Sequence, residues 1–206
     1  RQGRQLASSP KGSLLMNPRT LIRAALVAAS FVFVATNGAF ANEAVSKFYG
    51  SYVGSGKAEV LDRTEQEVRD LDVTIESFKD DGFTIQWITV VRGANGARTG
   101  DDVKRREVTE NFIPVEDKKN VFVLAPKGGL FQKSELPNPL LGDAVRWAAI
   151  DGNDMTIYSL AISETGGSEL QVYRRSLTEK GMDIRFMRLQ DEDVKVRMSG
   201  KLVRTQ

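Results

Sequence analysis

GMDIRFMRLQDEDVKVRMSGKLV, residues 181–203, holds two runs in which apolar and polar side chains alternate on either side of a short acidic break. Met182, Ile184 and Phe186 alternate with Asp183, Arg185 and Met187, and Val194, Val196, Met198, Gly200 and Leu202 alternate with Lys195, Arg197, Ser199 and Lys201. Successive side chains of a strand point to opposite faces, so a period of two puts one row in a core and the other in water. The connector Gln190-Asp191-Glu192-Asp193 is polar enough to turn. The segment therefore reads as an antiparallel hairpin.

The same pattern recurs upstream over 48–60, 68–78, 83–92, 103–115, 121–125, 145–150, 155–163 and 170–177. The breaks carry turn chemistry: Asp80-Asp81-Gly82, Gly93-Ala94-Asn95-Gly96, Asp151-Gly152-Asn153-Asp154, Gly166-Gly167 and Lys180-Gly181 all tolerate positive φ. No stretch sustains a 3.6-residue apolar period, although 42–47 suits one short turn of helix. The expected fold class is all-β, an antiparallel up-and-down barrel of about 8–10 strands, with a β-sandwich as the alternative; closure is favoured because it removes exposed edges. A membrane-spanning barrel needs an outward apolar band, and Arg185, Lys195, Arg197 and Lys201 occupy the non-core face of the last two strands.

Residues 1–41 are unlike the rest. They hold five basic residues and no acidic one, which leaves 24 basic against 27 acidic residues beyond them, a net charge of −3. Such a domain has no basic surplus with which to neutralise a nucleic-acid backbone. Arg19 and Arg23, an apolar run over 24–35 and the small-x-small element Ala39-Phe40-Ala41 form an export signal in the required order. The apolar run is well short of the roughly 20 residues that cross a bilayer. The organisation read from this is an unstructured upstream extension over 1–15, a signal peptide over 16–41 cleaved near Ala41, and a single barrel domain over 42–206. The mature protein is expected in the periplasm or secreted, without a transmembrane anchor.

The chain contains no cysteine and no histidine. Disulfides, thiolate nucleophiles, Ser-His-Asp and Cys-His catalysis and His-metal sites are thereby excluded. Carboxylate pairs such as Asp72 with Glu76 have no spacing that singles out an acid and a base. Asp151-Gly152-Asn153-Asp154 has oxygen ligands suited to calcium but lacks the distal ligands of an EF-hand and reads as a hairpin turn. No catalytic residue, metal site or cofactor is expected.

Gly50-Ser51-Tyr52-Val53-Gly54-Ser55-Gly56 sets Gly50, Tyr52, Gly54 and Gly56 on one face of the first strand, and glycines there permit tight coiling or close backbone approach. This element resembles the opening strand of calycin-type, lipocalin-like barrels, which begins with Gly-x-Trp, in some groups Gly-x-Trp-x-Gly-x-Gly. Tyr52 stands where that pattern has tryptophan, and the histidine of haem-binding members is missing. The resemblance implies that Arg197 or Arg204 packs on Tyr52 as the late arginine of lipocalins packs on its aromatic. It also implies a ligand entering one open end.

The aromatics Tyr52, Trp87, Trp147, Tyr158 and Tyr173 are the candidate ligand contacts, each with core filling as its structural alternative. Arg174 continues the Leu170-Val172 row, where it would receive a carboxylate or phosphate head group unless a bulge or strand end returns it to water. Residues 126–143 contain three of the chain's six prolines and no alternation. They read as a long loop whose Leu130, Phe131, Leu136, Leu140 and Leu141 form a lid or docking surface, or a plug packed on the barrel. The sequence thus points to an exported non-catalytic protein that holds a small hydrophobic or amphiphilic molecule inside a barrel. The alternative is a pocketless module that binds an envelope protein through the 126–143 loop.

Overall fold

The alternating segments become ten strands among the described residues of a computed structural model, preceded by one turn of helix. The structure describes residues 43–205 apart from 62, 64, 65, 80, 94, 95, 98, 99, 101, 102 and 127–136, and excludes the side chain of Leu140. The leader and the loop residues Leu130, Phe131 and Leu136 lie outside the described residues. The helical turn is α1 (Glu43–Ser46). The strands are β1 (Gly50–Val60), β2 (Glu67–Phe78), β3 (Gly82–Val91), β4 (Lys104–Pro114), β5 (Val121–Leu124), β6 (Val145–Asp151), β7 (Asp154–Ile162), β8 (Ser168–Thr178), β9 (Gly181–Gln190) and β10 (Asp193–Arg204).

Each strand pairs antiparallel with the next, and β10 returns to β1, so the sheet is a closed barrel. The closing seam runs over nine residue pairs from Tyr52↔Arg204 to Val60↔Val196. Glycines meet across it: Gly56 faces Gly200, and Gly54 faces Leu202. A Cβ on Gly200 would lie 2.6 Å from the Ser55 carbonyl oxygen and 2.8 Å from the Gly56 Cα. The coiling that the Gly50–Gly56 pattern implies is realised there.

The hairpin that opened the sequence reading closes through Asp191 and Glu192, both at positive φ (50° and 71°), the twist that suits a two-residue link between right-twisted strands. One expected inward residue is displaced. The register slips between Val194 and Val196, so Val194 pairs with Leu189 while Val196 pairs with Arg188, and the bulge turns Val194 to the outer face.

The two barrel ends differ. At the end where α1 sits, Val45 and Phe48 are fully buried against Tyr52, Ile75, Phe83, Phe112, Phe122, Met155 and Met182. Phe83 stacks on Phe112 with centroids 5.0 Å apart and meets Phe122 edge-on at 5.2 Å. Aromatic area and complementary ring edges make this end a solid plug. The links after β1, β3, β5, β7 and β9 gather at the other end, which includes the described part of the long loop. There a 3-10 turn, Pro139–Leu141, lies near β7, and Leu141 is 75% exposed. No helix among the described residues is long and apolar enough to cross a membrane.

Candidate functional site

β8 reads Ser-Glu-Leu-Gln-Val-Tyr-Arg-Arg-Ser-Leu-Thr, and both of its faces carry apolar residues. Alternation alone therefore does not say which arginine is inside. Register does: Tyr173 pairs with Phe186 and Leu177 with the buried Met182, so the odd-numbered row faces inward. Arg175 is inside and only 4% exposed. Arg174, expected on the inner row, stands on the outer row instead, where its Nη2 donates to Asp154 Oδ2 at 2.6 Å, while it still contributes to the lining of the cavity in the open half of the barrel.

The five candidate aromatics divide in the same way. Ala148, Ile150 and Ile157 fill the interior from β6 and β7, which turns Trp147 and Tyr158 outward. Those two rings stack on the outer surface with centroids 5.0 Å apart, contrary to the inward placement expected of them. Tyr52 is inside but belongs to the plug, with its hydroxyl donating to the Phe48 carbonyl at 2.9 Å. Trp87 and Tyr173 remain, facing each other across the open half of the barrel at 5.7 Å. Arg204, at the far end of β10, lies 5.7 Å over the Tyr52 ring, the late-arginine contact that the lipocalin resemblance implied.

Trp87 and Tyr173 border a cavity of about 400 Å3 that opens at the end opposite the plug. Its apolar wall comes from Leu71 and Val73 of β2, Ile184 and Phe186 of β9, and Val196 and Met198 of β10. Its mouth is cationic: Arg63, Arg69, Lys104, Arg105, Arg106 and Arg188 surround it. Glu67 is the one carboxylate in the lining among the described residues, and it already accepts from Arg63 at 2.6 Å and Arg69 at 2.7 Å. The domain is acidic in sum, so this concentration of positive charge is local and focused by apolar walls.

Arg175 lies beneath the two rings. Its guanidinium is 5.6 Å from the Trp87 centroid and 5.9 Å from that of Tyr173, a cation over two aromatic faces. Burial pushes its pKa down to about 10, so it stays charged at neutral pH. Burial also holds the Tyr173 phenol above its usual value, with Arg146, Arg106 and Arg175 pulling the other way. Nearby, Arg146 of β6 is ion-paired to Glu110 of β4, their side chains 13% and 11% exposed. Among the described residues no group of three or more acidic side chains is placed to hold a metal ion.

The residue that sequence reading missed is Arg175. Its signal was present in the adjacent pair Arg174-Arg175, one of which must face inward in any strand, but choosing between them requires the pairing partner.

Compared with models of known families and with curated proteins, the chain matches none. Among solved structures it is similar to the S-type phycobiliprotein lyase of Guillardia theta, at 9% identity and a TM-score of 0.34, over 77% of this chain and 88% of that one. A likeness this remote carries no weight for ligand or chemistry.

Proposed function

We propose that this protein is an exported, non-catalytic carrier that holds a small amphiphilic molecule in the open half of its barrel. The observation that carries the reading is the contrast between the two ends. One end is packed solid, while the other keeps about 400 Å3 of space walled by apolar and aromatic side chains and rimmed with charge. Small-molecule sites have that size and that composition, roughly 300–1,000 Å3 and mostly apolar with a few placed polar groups. The ionisable groups around it are mostly arginines, which neither release nor accept a proton at working pH, so they suit binding better than acid-base chemistry. The cavity favours this reading over a pocketless interaction module. Export is motivated by the leader pattern in 16–41.

Native mass spectrometry of the protein purified from its own host is expected to show a retained small molecule. A neutral fluorescent reporter, N-phenyl-1-naphthylamine, is expected to bind saturably and to be lost when Val73→Arg fills the cavity. Absence of both a retained species and saturable reporter binding removes the carrier reading. Fractionation of host cells tests export separately, and accumulation of uncleaved protein in the cytosol counts against it.

A further inference from the structure

Among the described residues, one buried cation at the floor of the cavity, Arg175, has no hydrogen-bonded carboxylate. Arg175 pairs with Ile184 across β8 and β9, one inward step above the Leu177–Met182 pair that begins the plug. Its Nε and Nη1 are shut off from water and make no hydrogen bond. Among the described residues, Glu110 is the carboxylate whose charge acts on Arg175, yet it is ion-paired to Arg146 and makes no hydrogen bond to the Nε or Nη1 of Arg175, while Glu67 is paired with Arg63 and Arg69, and Asp154 with Arg174. The aromatic faces of Trp87 and Tyr173 offset part of the desolvation but accept no strong hydrogen bond. Buried charges are ordinarily paired, because an unpaired one forfeits its hydration and gains nothing in return. Arginine does not escape by deprotonating at neutral pH.

Resting on the carrier reading, we propose that the ligand is an anionic amphiphile that enters head first, its oxyanion bonded to Arg175 and its tail lying against Leu71, Val73, Ile184 and Met198 toward the mouth. The guanidinium fork offers paired N–H donors that match the two oxygens of a carboxylate, and the same geometry accepts a sulfate or phosphate monoester. The arginines of the mouth raise the local concentration of anions and steer them inward, while Arg175 retains them. An uncharged amphiphile of the same length fills the same apolar wall and leaves Arg175 unpaired.

The test compares decanoate, decyl sulfate, decanol and decyltrimethylammonium on the full chain in a Trp147→Phe background, so that emission reports Trp87 beside the head group. Decanoate or decyl sulfate is expected to bind about tenfold or more tighter than decanol, in line with a charge-assisted hydrogen bond, and the cation weakest of the four. In Arg175→Gln the preference for the anions is expected to collapse to within about threefold while decanol affinity stays where it was. Arg175→Met, whose flexible apolar chain packs under the two rings, serves the same purpose should the glutamine variant not fold. If decanol binds as well as the anions, the inference is overturned and the carrier reading stands. If the preference survives in both Arg175 variants but disappears in Arg106→Gln/Arg188→Gln, the head group belongs to the mouth and the inference is equally overturned. Failure of all four probes overturns the inference, and the carrier reading then stands or falls on the retained species and the neutral reporter.

Discussion

Gly54 and Glu192 show how single positions are tied to backbone geometry in this barrel. A Cβ on Gly54 would lie 2.0 Å from the Lys201 carbonyl oxygen across the β1–β10 seam, a contact that only backbone movement relieves. Gly54→Ala is expected to destabilise the protein by about 2–4 kcal/mol in urea unfolding monitored by circular dichroism. Glu192 is the opposite case, a non-glycine side chain held at φ 71° in the β9–β10 turn. Relieving that conformation with Glu192→Gly is expected to raise stability by about 0.5–1 kcal/mol in the same measurement. Asp154 supplies a pH signature. Hydrogen bonds from Arg174 and Ser176 hold its carboxyl below the usual carboxylate value. A group with a lowered folded-state pKa stabilises at pH values above its unfolded pKa and loses that contribution as pH falls through the folded one. Wild type is therefore expected to exceed Asp154→Asn in stability at pH 7, and the difference to shrink steadily below about pH 4.

β5 is the weakest link among the strands. It spans four residues and pairs with each neighbour over only three positions, so among the described residues most of β4, Lys104 to Glu110, has no strand pairing on that side. The Arg146–Glu110 ion pair joins β6 to β4 at this place, largely out of water. Removing one partner leaves the other's charge poorly solvated, which is the costly way to break such a pair. Glu110→Gln is expected to lose about 2–3 kcal/mol, less than a fully buried pair because both groups keep some exposure, and a double-mutant cycle with Arg146→Met is expected to show positive coupling. Amide exchange of Val121–Leu124 should accelerate in either single variant. A stability loss from Glu110→Gln that is unchanged when Arg146 is already Met would show that the pair does not join these strands. α1 is a single turn of four residues, yet Phe48 just beyond it is fully buried beneath the closed end, so Phe48→Ala is expected to cost about 3–5 kcal/mol on thermal and urea unfolding.

The barrel as a unit depends on pairing its first strand with its last. Tyr52 and Arg204 are Cα partners across that seam although they stand at opposite ends of the domain, and Arg204 also lies over the Tyr52 ring. Contacts so distant in sequence are reached late and slowly, after most of the chain has been ordered. The acidic domain with a cationic mouth also carries an ionic-strength signature. The association rate of decanoate is expected to fall as salt is raised, whereas that of decanol stays level, in stopped-flow fluorescence.

Ten strands were legible from alternation and turn chemistry, to within a few residues at each end, because a two-residue period and a Gly- or Asp-rich break are local properties of the chain. The Gly50–Gly56 motif likewise announced close approach at the seam, since absent side chains leave room wherever the partner comes from. Which face of β6, β7 and β8 points inward was not legible. Those strands carry apolar residues on both faces, and a shift of one residue exchanges every side chain between core and solvent. Trp147, Tyr158 and Arg174 went to the outer face for that reason, and Val194 followed through a bulge that leaves the local pattern intact. The site under Trp87 and Tyr173 is assembled from β2, β3, β8, β9 and β10, strands far apart in the chain, and so the buried charge of Arg175 acquires its meaning from pairing across the barrel.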